Sequence, residues 1–268
     1  MTSNFADNLL NEKTMFIAGG SSGINLGIAE QYGRRGANLI ILSRSQDKID
    51  KAVERLKSQG SSAIGISTDV RDYDGVEAAF KTAHETYGNI DCVISGAAGN
   101  FLSPIVGLSS KGFQTVIDID LVGTFNVFRA SYDYLTKPGA SLIAITAGQA
   151  VQARPYQAHA CAAKAGVNML TKCLALEWGQ AGIRVNGISP GPIEDTEGYS
   201  RLVPTAEHEK KLKNKIAMRA MGTKSNVADV ATFLASDASS YVTGSIYNVD
   251  GGNELGDASY DFLTPFKR

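Results

Sequence analysis

The sequence predicts an α/β fold in one domain, a doubly wound parallel sheet with helices on both faces. Three observations predict it. Short apolar runs alternate with stretches of helical periodicity along most of the 268 residues. The first apolar run stops at a glycine-rich turn that leads directly into a helical pattern. No Pro- or Ser-rich linker, charge run or internal repeat divides the chain, whose length is large for one domain but within its range.

In order, the run 14–18 reads as a strand, Gly19-Gly20-Ser21-Ser22-Gly23 as the turn, and Ile24, Ile28, Ala29 and Tyr32 as one face of a helix. The alternation continues with a strand at 38–42, a helix at 46–58, a strand at 63–67, a helix at 74–87 and a strand at 91–95. Two longer helices are expected at 111–135 and 158–178, separated by a strand at 141–146. Strands at 183–188 and 245–250 close the set. Repeated βα units of this kind give a parallel sheet covered on both sides.

Composition excludes several classes of function. With 43% hydrophobic and 20% charged residues the chain is not disordered. Lys plus Arg (26) nearly balances Asp plus Glu (27), leaving no excess positive field for nucleic acid or an anionic membrane. Cys92, Cys161 and Cys173 form no C-x-x-C, and His84, His159 and His208 cluster with nothing, so neither a disulfide framework nor a metal is expected. No apolar run is long enough to span a bilayer and the first ten residues do not read as a secretory leader. The C-terminal Phe266-Lys267-Arg268 differs from an S-K-L address, so the cytoplasm is the expected compartment.

The turn from Gly19 to Gly27 is the first candidate site. Glycines there allow a tight turn, and the following helix N-terminus presents free N–H groups to a pyrophosphate, which makes Gly19, Ser21, Ser22, Gly23 and Ile24 expected cofactor contacts. Ribose recognition is expected at the end of the second strand, where Ser43 and Arg44 stand in place of an acid. A basic side chain at that point suits a 2′-phosphate, so NADP(H) is expected over NAD(H).

These features resemble the short-chain dehydrogenase/reductase family over nearly the whole chain, which implies a Rossmann-type domain. Gly19-x-x-x-Gly23 resembles its glycine motif, with Asn25 where a third glycine usually stands; Asp69-Val70 resembles its adenine-contacting pair. Gly96-Ala97-Ala98-Gly99 resembles the segment after its fourth strand. Pro190-Gly191-Pro192-Ile193 resembles its loop closing on the nicotinamide, and Asp250-Gly251-Gly252 its last strand. The resemblance thus implies cofactor contacts at Asp69, Val70, Ala97, Ala98, Gly99, Pro190, Gly191 and Ile193, and at the family's catalytic lysine, Lys164.

The departures are as informative. Four residues before Lys164, where the family carries a tyrosine, stands Ala160; thirteen before that, where it carries a serine, stands Ala147, beside Thr146. Tyr156 precedes Lys164 by eight residues, about 12 Å along a helix at ~1.5 Å per residue, and is expected to be structural. His159 lies off the lysine's face and is expected in the core or behind the site; Cys161 is expected to be a packed thiol. Asp120 replaces an asparagine of the family's proton-relay site. Its neighbours Leu121, Val122 and Gly123 are packing residues, so its charge calls for a partner such as Lys164. Asp118 is expected on the helix surface.

An Asp–Lys pair without Tyr or Ser resembles the peroxisomal-type 2,4-dienoyl-CoA reductases of that family. So do Asn100-Phe101-Leu102, Gln157-Ala158-His159-Ala160 and Thr196-Glu197-Gly198. The resemblance implies reduction of a 2,4-dienoyl-CoA to a 3-enoyl-CoA in unsaturated fatty acid degradation, with Asp120 and Lys164 catalytic; whether they act through a water held by the pair stays open. It also implies an acyl-CoA substrate against Asn100, Phe101 and Thr196, a mobile pocket wall at 196–213, and a homotetramer paired through the long helices. Two other readings stay open: a reductase of another activated alkene or a ketone, and a redox-inactive NADP-binding regulatory or scaffold protein.

Overall fold

The computed structural model describes residues 5–203 and 205–260. Seven parallel strands form one sheet in the order β3-β2-β1-β4-β5-β6-β7 among these residues. They are β1 (Thr14–Ala18), β2 (Asn38–Ser43), β3 (Ser62–Ser67), β4 (Cys92–Ser95), β5 (Ser141–Ile145), β6 (Arg184–Pro190) and β7 (Ile246–Val249). The chain runs outward from β1 to β3, then returns to place β4 on the other side of β1, with Met15 opposite Cys92 and Ala18 opposite Ser95. Two neighbouring loops therefore leave the sheet in opposite directions at the C-terminal ends of β1 and β4, and a crevice opens between them.

Strand alternation divides the core in two. Phe16, Ile40, Val93 and Leu142 face one layer with Phe80, Val127 and Phe128. Met15, Ile17, Ile41, Ile94 and Ile143 face the other with Ile28, Tyr32, Val227 and Leu234. Both faces being covered, the central strands are apolar at consecutive positions, and this explains why they read as unbroken apolar runs. The three cysteines are free thiols, Cys92 buried, Cys161 half-buried and Cys173 exposed. Among the described residues no helix is long and apolar enough to cross a membrane, and no group of three or more His, Cys, Asp or Glu side chains is placed to hold a metal ion.

The helices α1 (Gly23–Gly33), α2 (Gln46–Ser58) and α3 (Tyr73–Tyr87) fall where the periodicity predicts them. The expected helix 111–135 is not regular: α4 (Ser110–Ile117) widens into a π-helical turn at Asp118–Val122 before α5 (Gly123–Ser131) resumes. Such turns insert an extra residue and rotate the helix beyond them, and they recur at functional sites. Hydrophobic spacing does not report one, because the apolar stripe persists on both sides of it. Next come α6 (Ala158–Trp178), α7 (Glu197–Leu202), α8 (Ala206–Lys215) and α9 (Lys224–Ala235). The segment expected as a pocket wall, 196–213, is thus built mainly of two short helices, each capped at its start by a threonine, Thr196 and Thr205.

Asn25, a departure from the glycine pattern, has a structural use. Its Nδ2 donates to the carbonyls of Gly96 at 2.9 Å and Gly19 at 3.3 Å, tying the turn after β1 to the end of β4. Asn25→Ala is expected to lower stability by about 1–3 kcal/mol, since it strands two partly buried acceptors at the mouth of the crevice. Thermal unfolding measures this; an unchanged midpoint would mean that water replaces the amide without loss.

Candidate active site

Backbone shape comes first. Gly19 has φ +79° and a Cβ there would lie 2.8 Å from the Ala97 nitrogen, so only glycine lets the two loops approach. Gly23 opens α1 at φ +60°, with open space beside it. Between them, Ser21 Oγ donates to Ser43 Oγ at 2.9 Å and fixes the turn against the end of β2.

Around this turn lies a cavity of about 830 Å³, within the range of small-molecule and cofactor sites. Gly19, Ser21, Ser22, Gly23, Ile24, Arg44, Asp69, Val70, Ala97, Ala98, Lys164, Pro190, Gly191, Ile193 and Thr196 are brought together on its lining. Two buried polar atoms of lining residues, Asn25 Oδ1 and Thr146 Oγ1, have no hydrogen-bond partner in the chain. Open backbone at the turn, a helix start and unsatisfied buried oxygens together fit a dinucleotide laid across the crevice.

At the β2 end, Arg71 grips Asp69 through Nη2 at 2.6 Å and Nε at 3.0 Å and holds its carboxyl below the ordinary carboxylate range. Arg44 Nη1 stands 3.9 Å from the same carboxylate and is largely exposed. Lys48 also lines this end, a basic residue that sequence reading did not single out because it faces the cavity only once α2 is packed.

The inner wall holds the buried charges. Lys164 Nζ lies 3.2 Å from Asp120 Oδ2, with side-chain exposures of 10% and 2%. Lys164 also donates to the Ile145 carbonyl at 3.1 Å, and the Gly99 N–H donates to Asp120 Oδ1 at 2.7 Å. Thr124 Oγ1 donates to the Asp120 carbonyl at 2.7 Å and accepts from Ser95 Oγ at 3.0 Å, bracing the π turn against β4. At 3.2 Å the two groups are in direct contact. Asp120 is off the cavity lining and meets it through Lys164; Gly99, expected at the cofactor, is off it too and serves the carboxylate.

Two further expectations are refined. Asn100 and Phe101 do not line the cavity. Asn100 Nδ2 donates to Gln157 Oε1 at 2.8 Å, and the Phe101 ring stacks on His159 with centroids 4.5 Å apart. His159 is fully buried and neither ring nitrogen has a partner. Tyr156 holds a left-handed φ of +64° and points an exposed ring outward, while its carbonyl accepts from the Ser103 N–H at 2.9 Å. Cys161 Sγ lies 3.9 Å from the Gln152 carbonyl. Ala160 packs with Val116 and Ala163 against the α4 side, and Ala147 presents its methyl to the cavity. Gln149, Arg154 and Gln157 line the cavity as well; they sit in the irregular stretch after β5, where no spacing rule places a side chain.

A family model described as enoyl-(acyl carrier protein) reductase matches residues 18–254, and the chain belongs to the short-chain dehydrogenase/reductase family. It is therefore an oxidoreductase of a class that uses a nicotinamide cofactor. Within that class it is 41% identical over 257 residues to a Danio rerio protein named peroxisomal 2,4-dienoyl-CoA reductase [(3E)-enoyl-CoA-producing], across 95% of this chain and 86% of the relative. That name carries a compartment other than the cytoplasm. Among solved structures, a short chain dehydrogenase from Bacillus anthracis is 35% identical with a TM-score of 0.81, over 91% of this chain and 97% of that one. A gluconate 5-dehydrogenase from Burkholderia cenocepacia in complex with NADP and tartrate is 29% identical with a TM-score of 0.86, over 93% and 98%.

Burial makes the Lys164–Asp120 pair interdependent. Lys164→Met leaves a buried carboxylate with one backbone N–H as its side-chain support, and is expected to cost about 3–5 kcal/mol. Adding Asp120→Leu removes the stranded charge and is expected to restore much of that loss in urea unfolding. A double variant weaker than Lys164→Met by the full cost of a second lesion would show that the two side chains are not coupled.

Proposed function

We propose that the chain is an NADPH-dependent reductase of 2,4-dienoyl-CoA thioesters that forms 3-enoyl-CoA, a step in degrading unsaturated fatty acids. The observation that carries this reading is a buried Lys164–Asp120 pair on the cavity wall, with Ala160 and Ala147 at the two positions where the family carries its tyrosine and serine. Reducing a ketone requires an acid on the carbonyl oxygen, and Ala147 and the buried Ala160 offer none. Reducing a conjugated thioester requires a proton at carbon, which a lysine backed by a carboxylate can hold. The name of the Danio rerio relative supports the same substrate class.

NADPH supplies, when bound, a hydride to the far carbon of the diene. Its electron pair forms the new C–H bond; the diene's two π pairs move to C3–C4 and C1–C2 and the carbonyl π pair moves onto oxygen, giving a dienolate, and a proton added at C2, beside the thioester carbonyl, restores that carbonyl and gives the 3-enoyl product. The ammonium of Lys164 has three N–H groups, of which one meets Asp120 and one the Ile145 carbonyl, leaving one for the cavity. That N–H holds the proton, and Asp120, fixed by Gly99 and the π turn, stabilises the ammonium that delivers it. Ser22, Gly23 and Ile24 bind the pyrophosphate at the start of α1, while Pro190, Gly191 and Ile193 face the nicotinamide. Arg44, only loosely engaged with Asp69, and Lys48 meet the 2′-phosphate. Thr196 and the segment 196–213 form the acyl side. A homotetramer belongs to this proposal, supported by Phe125, Met169 and Leu176, which are exposed on α5 and α6.

NADPH oxidation with hexadienoyl-CoA, beside a panel of ketones and a 2-enoyl-CoA, tests the substrate. Turnover of the dienoyl thioester is expected; a protein that reduces only ketones, or nothing, refutes the reading. Titration tests the cofactor: Arg44→Ala is expected to weaken NADPH roughly ten- to hundredfold, the worth of a charge-assisted contact, and to leave NADH unchanged. Equal affinities in the unaltered protein would remove the preference.

Asp120→Asn is expected to lower dienoyl-CoA turnover about 10²- to 10⁴-fold with little change in NADPH affinity, while Lys164→Ala lowers both. The double variant should be little worse than the poorer single one, because the two groups serve one proton path. Wild-type turnover in Asp120→Asn, with chemistry limiting the rate, would make the carboxylate purely structural.

A further inference from the structure

Hydride arrival at the far carbon of the diene drives an electron pair onto the thioester oxygen, and neither Lys164 nor Asp120 is assigned to that oxygen. A donor aimed at developing charge is often the largest single contribution to such a step. The wall opposite the glycine turn contains a group suited to it. Gln157 Oε1 accepts from Asn100 Nδ2 at 2.8 Å and from Gln149 Nε2 at 3.2 Å, so two carboxamides from separate loops converge on one oxygen. In this arrangement the Gln157 oxygen accepts both contacts, and its –NH₂ end is used by neither. Polarisation by two incoming donors also strengthens what the –NH₂ group can donate.

Gln157 and Lys164 both line the cavity. Gln157 is the residue that precedes the first turn of α6 and Lys164 stands seven residues on, about 10 Å further along the axis at ~1.5 Å per residue. Long helical side chains lean toward the N-terminus, so the lysine head closes part of that gap. The spacing suits a thioester whose oxygen meets Gln157 while the neighbouring carbon meets Lys164. Gln157 is also held in place from behind. Tyr156, just before it, keeps a left-handed φ and is pinned by the Ser103 N–H, and the Phe101–His159 stack closes the same pair of loops two residues further on. A strained, over-determined backbone beside a cavity is the kind of support a preorganised donor needs.

We propose that Gln157 Nε2 is the hydrogen-bond donor to the thioester oxygen, with Asn100 and Gln149 as positioning residues that orient its amide. The assignment rests on the dienoyl-CoA reading of the same site. In the balanced step, the hydride's pair forms the C–H bond, the displaced π pair rests on the thioester oxygen, and Gln157 stabilises it until the proton reaches carbon.

The test uses the full chain with oxidised cofactor and hexadienoyl-CoA labelled at the thioester carbonyl with ¹³C, a complex that cannot turn over. Infrared difference spectra are expected to show the carbonyl stretch lowered on binding to the unaltered protein, with most of that shift lost in Gln157→Leu. In turnover, Gln157→Leu is expected to lower kcat and kcat/KM together, on the order of 10²-fold, as for loss of one oxyanion donor. Asn100→Ala removes one orienting contact at an exposed position and is expected to give a smaller fall and a broadened, partly reversed carbonyl band; it carries the test if Gln157→Leu does not fold. An unshifted band in the unaltered protein that nonetheless reduces hexadienoyl-CoA, or wild-type kcat and shift in either variant, overturns the role of Gln157 while leaving the substrate assignment intact. A protein that neither binds nor reduces hexadienoyl-CoA overturns both.

Discussion

A lysine ammonium and an aspartate carboxylate in direct contact, both nearly sealed from water, set the terms for the structure around them. Each ion alone would cost several kcal/mol to bury, and their attraction offsets that only if the remaining donors and acceptors are also met. The Gly99 N–H, the Ile145 carbonyl and the Lys164–Asp120 contact do so, and each comes from a different element. The loop after β4, the last residue of β5, the π turn and α6 must therefore all be in register before the pair is tolerable. Small residues make that register possible. Gly166 on α6 lies against Leu121, where a Cβ would stand 2.7 Å from a methyl group, and Gly123 lies against Val70, where it would stand 2.6 Å away.

The same arrangement divides the cavity by function. The half around the glycine turn is mostly backbone, glycines, helix N–H groups and short loops at the strand ends, with the side chains of Arg44, Lys48 and Asp69 at its β2 end. Its other half is side chains from the stretches after β4 and β5, joined by amide hydrogen bonds and one ring stack. A backbone site recognises a shape common to every dinucleotide, whereas a side-chain site can be changed one residue at a time without disturbing the sheet. Loss of a phenol and a hydroxyl on this fold is then a change in the variable half alone. Two methyl groups stand at the positions where the family carries neutral donors, and the charges beside them belong to the Lys164–Asp120 pair.

Much of the fold is legible in the chain alone. Apolar runs of β-strand length, a glycine turn before a helix and repeated alternation identify the parallel sheet, and most element boundaries fall within a residue or two. The residues that line the nucleotide half are legible for the same reason, since each is fixed by its place in a βα unit. Legibility fails where local pattern and tertiary position part. The widened turn at Asp120 sits inside a continuous apolar stripe and has no periodicity of its own. Asn25 reads as a lapse in a glycine motif until its amide is seen to join two loops. Asn100 and Phe101 are close to the site in sequence and turn away from the cavity, each taken by a neighbour across the gap between loops.

What the amino-acid sequence by itself determined is the layer architecture, the cofactor turn and the presence of an acid and a lysine without the usual phenol, because these depend on residue type at short, regular spacing. Only the tertiary structure decided that Lys164 and Asp120 touch, that Gly99 serves the carboxylate, and that Gln149, Arg154 and Gln157 face the cavity. Those outcomes depend on how irregular loops from three strands settle against one another and on one π turn. Contacts of that kind are set by packing between segments tens of residues apart, for which no local rule in the chain carries the distance or the direction.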